Sequence, residues 1–295
     1  MLRKGDLTQG GITTTLLQFT LPMLAGSLLQ QCYNIADTLI VGQCIGANAL
    51  AAVGSAYTLM VFLISILLGL SMGSGTVFSL QYGAEDLSAQ RRSIYVSLLL
   101  IGTVTILLNV AVFLWLDPIL RWLQVPYDIY SLMRNYLWII FWGIVFTFLY
   151  NFYAALLRAV GDSVTPLWFL AVSVVLNIGL DLFLILVLDQ GIEGAAVATV
   201  IAQGTAASGI LLYTYKTRPE LRLHREDMCF DRSSLREITS FSTLTCVQQS
   251  VMNFGILMVQ GLVNSFGTVV MAAFAAAVKI CLLYTSDAAD ERSSV

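Results

Sequence analysis

Long apolar runs separated by short polar turns divide this chain, and most are long enough to cross a bilayer as helices, for which about 20 apolar residues suffice. The runs predict helices over roughly Thr13–Val41, Ser55–Leu80, Ser93–Leu116, Ile129–Leu157, Val172–Leu188, Gly194–Tyr215 and Glu237–Phe266, with a further one beginning at Thr268. Between them lie a small-residue connection, Gly42–Gly54, a polar turn, Gly83–Arg92, and a loop, Asp117–Asp128, that holds Pro118 and Pro126. The turn RAVGDSVTP (Arg158–Pro166) and a tight connection, Asp189–Glu193, follow. Lys216–Arg236 is the longest hydrophilic stretch, mixed in sign, and reads as a solvated linker. Pro22 predicts a bend in the first run, because neighbouring helices can satisfy the freed carbonyl. The segment GLSMGSG (Gly69–Gly75) predicts a close approach of another helix to the second run.

Two acids break the apolar pattern. Asp181 lies inside Val172–Leu188 with Asn177 one helical turn before it, and Asp37 lies inside the first run with Tyr33 one turn before it. A carboxylate at membrane depth costs roughly 2.5–3.5 kcal/mol even on the gentlest insertion scale. The two acids therefore read as a seat for a coupling ion. Two carboxylates brought together in a low dielectric cannot both stay ionised cheaply, so such a seat holds a proton or binds a hard cation through oxygens. The structural alternative is that the acids glue helices together, although Ser, Thr and Asn are the usual glue. Gln30, Gln31, Asn34, Gln248 and Gln249 are candidates for a central cavity or, equally, for hydrogen bonds between helices. Met60, Met72, Met252 and Met258 offer either an adaptable apolar surface or ordinary packing.

Composition names the solvent. Hydrophobic residues make up 58%, charged residues 11%, and mean hydropathy is +0.81, so the fold class is an all-α integral membrane protein, a polytopic helical bundle. A net charge of −3 with no basic patch interleaved with aromatics argues against nucleic acid as a partner. The five cysteines are irregularly spaced and mostly sit in or beside apolar runs, and His224 is the single histidine. No nucleophile or metal-ligand constellation is present, so neither an enzyme nor a bound cofactor is expected. Arg3, Lys4, Arg91, Arg92, Arg158, Lys216, Arg218, Arg222, Arg225, Arg232 and Arg236 fall on one side if every run crosses, which places the N-terminus and the linker in the cytoplasm. The N-terminal stretch lacks a small-residue cleavage site, so the first run is kept as a mature helix.

An internal repeat is visible. IGANALAAVGSA (Ile45–Ala56) and FGTVVMAAFAAA (Phe266–Ala277) share a glycine and an Ala-Ala pair in register, each after a glutamine-marked helix. The repeat predicts a complete six-helix N-terminal lobe over 1–215, a cytoplasmic linker over 216–236, and the start of a second, like-oriented lobe over 237–280. Met258 stands where Asp37 would recur, so the ion seat belongs to the first lobe. After Lys279 the pattern stops, and Cys281–Ser286 can be encoded by a transposon end used in sequencing-library preparation. Residues 281–295 are therefore expected to be a non-native tail on a truncated chain.

Taken in order, several stretches resemble the multidrug and toxic compound extrusion (MATE) family: Phe19–Gly42, Gly69–Asp86, Arg158–Asp162, Asn177–Asp181, Gly194–Gln203 and Leu262–Ala273. The resemblance implies two six-helix lobes, of which this chain holds one and about two helices of the other. It also implies export of drugs and small organic cations by alternating access against an inward Na⁺ or H⁺ gradient, from a monomer in a bacterial plasma membrane. It puts the coupling cation at Asp37, Asn177, Asp181 and Thr199, with Tyr33 nearby, and no other metal. Gly255 and its uncharged neighbours stand where other members carry a glutamate in the seventh helix, which favours the N-lobe site. A lipid-linked sugar flippase of the same superfamily would want a more cationic cavity than these runs supply. A non-transporting membrane scaffold is the third alternative.

Overall fold

The computed structural model describes residues 12–224, 227 and 231–278, with side chains from Leu17 onward. The expected tail at 281–295, Cys229, Arg3, Lys4 and Arg225 lie outside the described residues. Within them the chain is all-helical: α1 Ile12–Cys44, α2 Ala47–Gly83, α3 Leu87–Trp122, α4 Tyr127–Trp142, α5 Ile144–Ala159, α6 Val164–Leu182, α7 Gly191–Thr217, α8 Arg232–Asn264 and α9 Thr268–Val278. Five helices, α2, α3, α6, α7 and α8, are long and apolar enough to cross a membrane, and α4 with α5 makes a sixth span if the bent pair is taken as one. Helix α1, at 33 residues, is long enough. Its polar stretch Gln30–Asp37 dilutes its hydropathy, and it is not among those spans.

Several boundaries differ from expectation for identifiable reasons. The connection at Gly42–Gly54 shrinks to Ile45 and Gly46, because Gly46 at φ 118° makes the whole turn. The small residues after it form helix, and Ala49, Ala51 and Ala52 are buried in it. Helix α3 continues through Pro118, and the strain is absorbed one turn earlier at Trp115, whose φ −113° and ψ 16° are non-helical. The run Ile129–Leu157 is broken at Gly143 into two pieces bent by 47°. At the break the Phe141 carbonyl accepts a backbone N–H of the cap, and Asn109 of α3 donates Nδ2 to it as well at 3.1 Å. Helix α6 already begins at Val164, with Pro166 tolerated in its first turn, and it ends in a π turn over Phe183–Val187. Asp181 thus lies in the last third of its span rather than near the middle.

Helix α2 is the axis of the bundle. Helices α1, α3, α4, α5 and α8 all pack against it, and Leu67, Phe78, Leu120, Met133, Phe141 and Phe152 fill the core around it. Its contact with α8 is made backbone to backbone. A Cβ at Gly69 would overlap the Cys246 backbone, and one at Gly73 would overlap that of Ser242, so these two glycines of GLSMGSG are there to admit α8, while Gly75 faces Ala155 of α5. Toward the far end of the pair, Asn264 Nδ2 donates to Ser55 Oγ (3.1 Å) and to the Leu123 carbonyl (2.8 Å), and Thr58 Oγ1 donates to Gln260 Oε1 (3.2 Å). Outward-facing residues such as Ile106, Leu107 and Val110 of α3 and Val175 of α6 are exposed and apolar, as lipid-facing positions are.

On the opposite side from the α1–α2 turn, parts of the linker are docked rather than freely solvated. Arg218 pairs with Asp162 at 3.3 Å, Arg91 with Asp227 at 3.1 Å, and the Arg222 guanidinium lies 4.6 Å over the Tyr215 ring. Two turns mirror each other. Gly46 precedes α2 at φ 118°, and Gly267 precedes α9 at φ 91°, after helices of 33 residues each.

Candidate functional site

A cavity of about 570 Å³ lies among α1, α2, α4, α5, α6 and α7. Helix α1 contributes one wall from Pro22 to Thr38, and the faces of α5, α6 and α7 contribute the other. Asp37 and Arg158 are the charged residues in its lining, and Tyr33, Tyr57, Tyr136 and Tyr150 supply the aromatic surface.

The acid-bearing turns of α1 and α6 meet at one end. Asn177 and Asp181 share a face of α6 by helical spacing, as Tyr33 and Asp37 share a face of α1. Helix α6 packs between α1 and α7, which sets Thr199 of α7 beside them. Asp181 is 0% exposed, Asn177 1% and Thr199 5%, while Asp37 is half-buried at the cavity wall. The Asp37 carboxyl reaches that of Asp181 within hydrogen-bonding range. With the Asn177 amide oriented to satisfy both its ends, Nδ2 donates to Asp181 Oδ2 at 3.0 Å and Oδ1 accepts from the Thr199 N–H at 3.2 Å. The Thr199 hydroxyl donates to the Ala195 carbonyl at 3.0 Å, so at 3.4 Å from the Tyr33 hydroxyl its oxygen is the acceptor. A contact between two carboxyls needs a proton or a cation between them. The cluster offers carboxylate, amide and hydroxyl oxygens, the donor set of a hard cation. No group of three His, Cys, Asp or Glu side chains able to hold a metal occurs among the described residues.

All five of Tyr33, Asp37, Asn177, Asp181 and Thr199 are therefore brought together. Gln30, Gln31 and Asn34 line the cavity, and Asn34 Nδ2 reaches the Tyr57 hydroxyl at 3.5 Å. Gln248 and Gln249 do not line it. Helix α8 is held against α2 by Gly69 and Gly73, and Gln248 is left exposed. Met60 is in the wall, whereas Met72, Met252 and Met258 are exposed on the outside of the bundle. RAVGD divides its work. Asp162 caps α6, accepting from Thr165 N at 3.0 Å and Thr165 Oγ1 at 2.8 Å, and it holds Arg218. Arg158 does not pin that turn but faces the cavity. Sequence reasoning also missed Tyr57, Tyr136, Tyr150, Asn151, Thr147 and Ser173 as lining residues. Nothing in the pattern separates such residues from interfacial aromatics or helix glue.

A family model described as MatE matches residues 22–183. The chain is 33% identical over 280 residues to a probable multidrug resistance protein of Bacillus subtilis, YpnP, covering 95% of this chain and 62% of that protein. It is 28% identical over 267 residues to the multidrug export protein MepA of Staphylococcus aureus, covering 88% of this chain and 57% of that one. The chain thus spans about three-fifths of the length of these curated relatives. A solved MATE multidrug transporter, DinF-BH, superposes with a TM-score of 0.88 at 24% identity, over 97% of this chain and 64% of that one. An inward-facing MATE transporter superposes with a TM-score of 0.79 at 21% identity, over 92% of this chain and 64% of that one.

Proposed function

The chain belongs to the MatE family of multidrug efflux transporters, and on that premise we propose that it forms the ion-coupling half of a cation-driven drug exporter. The observation that carries the proposal is the meeting of Asp37 and Asp181, from helices far apart in the chain, at the wall of a cavity large enough for a small organic molecule. Packing alone gives no reason to hold two acids against each other in lipid. Asp37, Asp181 and the Thr199 hydroxyl seat a Na⁺ or a proton, with Asn177 holding Asp181 through its amide nitrogen and Tyr33 ordering the site. Asp37 and the four tyrosines receive a cationic drug, the rings contributing cation–π contact.

Binding of the inorganic cation removes the charge that attracts the drug, so the two compete, and each favours a different lobe arrangement. Residues 1–215 are the lobe that carries this exchange, 216–236 the cytoplasmic linker, and 237–280 the start of the partner lobe. The 570 Å³ cavity opens toward the cytoplasm or outward in turn, in a monomer of the bacterial inner membrane. The test expresses the gene, to the full extent its locus encodes, in a drug-sensitive bacterium. Asp37→Asn and Asp181→Asn should each abolish resistance while leaving membrane levels near those of the wild type. Resistance retained in both retires the coupling site and favours helix glue.

A further inference from the structure

We infer that Arg158 forms an anion-binding subsite at the linker-side end of the cavity, one that takes the carboxylate of an amphoteric substrate. The inference rests on the reading that this cavity receives substrate. Arg158 stands in the last turn of α5 and lines the cavity with Tyr150, Ser163 and Pro166. Its Nε donates to the Ala154 carbonyl at 3.0 Å, which fixes the stem of the guanidinium and leaves the two terminal nitrogens without a hydrogen bond among the described residues. None of the ion pairs among the described residues involves it.

The absence of an ion pair is not for want of an acid. Asp162 follows four positions later, but Gly161 at φ 86° turns the chain, and the Asp162 carboxylate is committed to Thr165 and Arg218. Tyr150 is committed as well, donating to the Pro166 carbonyl at 3.0 Å. An Arg side chain at a membrane interface ordinarily turns its head to water. Here the side chain faces the cavity, with a fork of donors suited to a carboxylate. The N-terminal end of α6, at its cap residue Ser163, borders the same space and adds the positive end of its dipole.

The cavity is therefore bipolar. Gly26 of α1 sits level with Leu167 and Leu170 near the start of α6. Asp37 and Asp181 lie about 15–20 Å further along those two helices at 1.5 Å per residue. A molecule with a cation at one end and a carboxylate at the other lies with its anion toward the linker side and its cation toward Asp37. A purely cationic molecule gains nothing from the Arg158 end.

The test uses the full chain in nanodiscs and measures fluorescence polarisation with two rhodamine dyes differing only in a free carboxylate and its methyl ester. In Arg158→Gln the acid-to-ester ratio of affinities should fall about tenfold relative to wild type. In Arg158→Lys, which keeps the charge but not the fork, it should fall about threefold; the lysine variant carries the test alone if the glutamine variant does not purify. A ratio equal to wild type in the variants that fold overturns the inference while the drug-cavity reading stands. Failure of either dye to bind wild type overturns the drug-cavity reading itself. Repeating the measurement on wild type and Arg158→Gln with neutral and with anionic lipid separates the two sources of anion. A ratio that changes with lipid charge in wild type but not in Arg158→Gln places a lipid phosphate on Arg158 and overturns the substrate assignment.

Discussion

Replacing Gly73 by Ala tests whether α8 is seated on α2 as closely as the backbone contact implies. The new Cβ would lie 2.6 Å from Ser242 N and from Ser242 Oγ, against an ordinary contact of 3.4–4 Å, and it would overlap Ser242 Cα. Helix α8 must then back away by roughly 1 Å, a shift that also strains the Ser242 Oγ donation to the Leu70 carbonyl. Overpacking of this kind costs about 1–3 kcal/mol, and loss of the hydrogen bond about 0.5–1.5 kcal/mol more. Alanine's higher helix propensity returns about 1 kcal/mol. The net is a destabilisation of about 0.5–3.5 kcal/mol. Gly179 of α6 supplies the control, since a Cβ there meets nothing within 4 Å. Gly179→Ala should be neutral or stabilising by about 0.5–1 kcal/mol. Unfolding in mixed detergent micelles, followed by tryptophan fluorescence, compares the two. If Gly73→Ala is as stable as Gly179→Ala, the close packing of α8 on α2 is wrong.

Asn264 is 1% exposed and ties α8 to Ser55 and to the Leu123 carbonyl. Asn264→Ala leaves those groups buried without their partner and should cost about 2–3 kcal/mol in the same unfolding assay; a loss below about 0.5 kcal/mol speaks against the cluster. Asp86 caps α3, and the Ala89 N–H, with the Ser88 hydroxyl after it, holds its carboxyl below the usual carboxylate range. An acid depressed in the folded state stabilises above its unfolded pKa, about 3.9 for Asp, and that stability is lost as pH falls through the lower folded value. Asparagine caps without titrating. The stability of wild type relative to Asp86→Asn should therefore shrink on acidification from about pH 5 to pH 2, and parallel unfolding curves would contradict the cap.

Helix existence and the two acid-bearing turns were legible because both signals are strong: an unbroken apolar run, and a charge inside one. The glycine spacing at Gly69 and Gly73 was equally plain, although only the structure names α8 as the helix it admits. The break at Gly143 was not readable, since glycine is common in membrane helices that stay straight. Here the close approach of Val200 and Gln203, 3.0 and 3.1 Å from where a Cβ would sit, decides it. Gln248 and Gln249, open to a cavity or to hydrogen bonds between helices, lie outside this cavity, because a glutamine pair marks polarity without direction and the α2–α8 contact turns Gln248 outward. Thr199 came only from the family resemblance, because a threonine in a small-residue helix carries no signal of its own. Arg158 hid inside the RAVGD turn, and only the lining of the cavity shows it turned inward, with Asp162 committed to Thr165 and Arg218.

The affinity of the full chain for a cationic dye, measured across pH and Na⁺ concentration in wild type and in the Asp37→Asn/Asp181→Asn double variant, addresses the central claim most directly. Arg158, the other charged residue in the cavity wall, is retained in both proteins. If the paired acids seat the driving cation, wild-type affinity weakens about tenfold as pH falls from about 8 to 6 or as Na⁺ is added, and the double variant loses that dependence. Wild-type affinity indifferent to both ions, or a dependence that persists in the double variant, would contradict it.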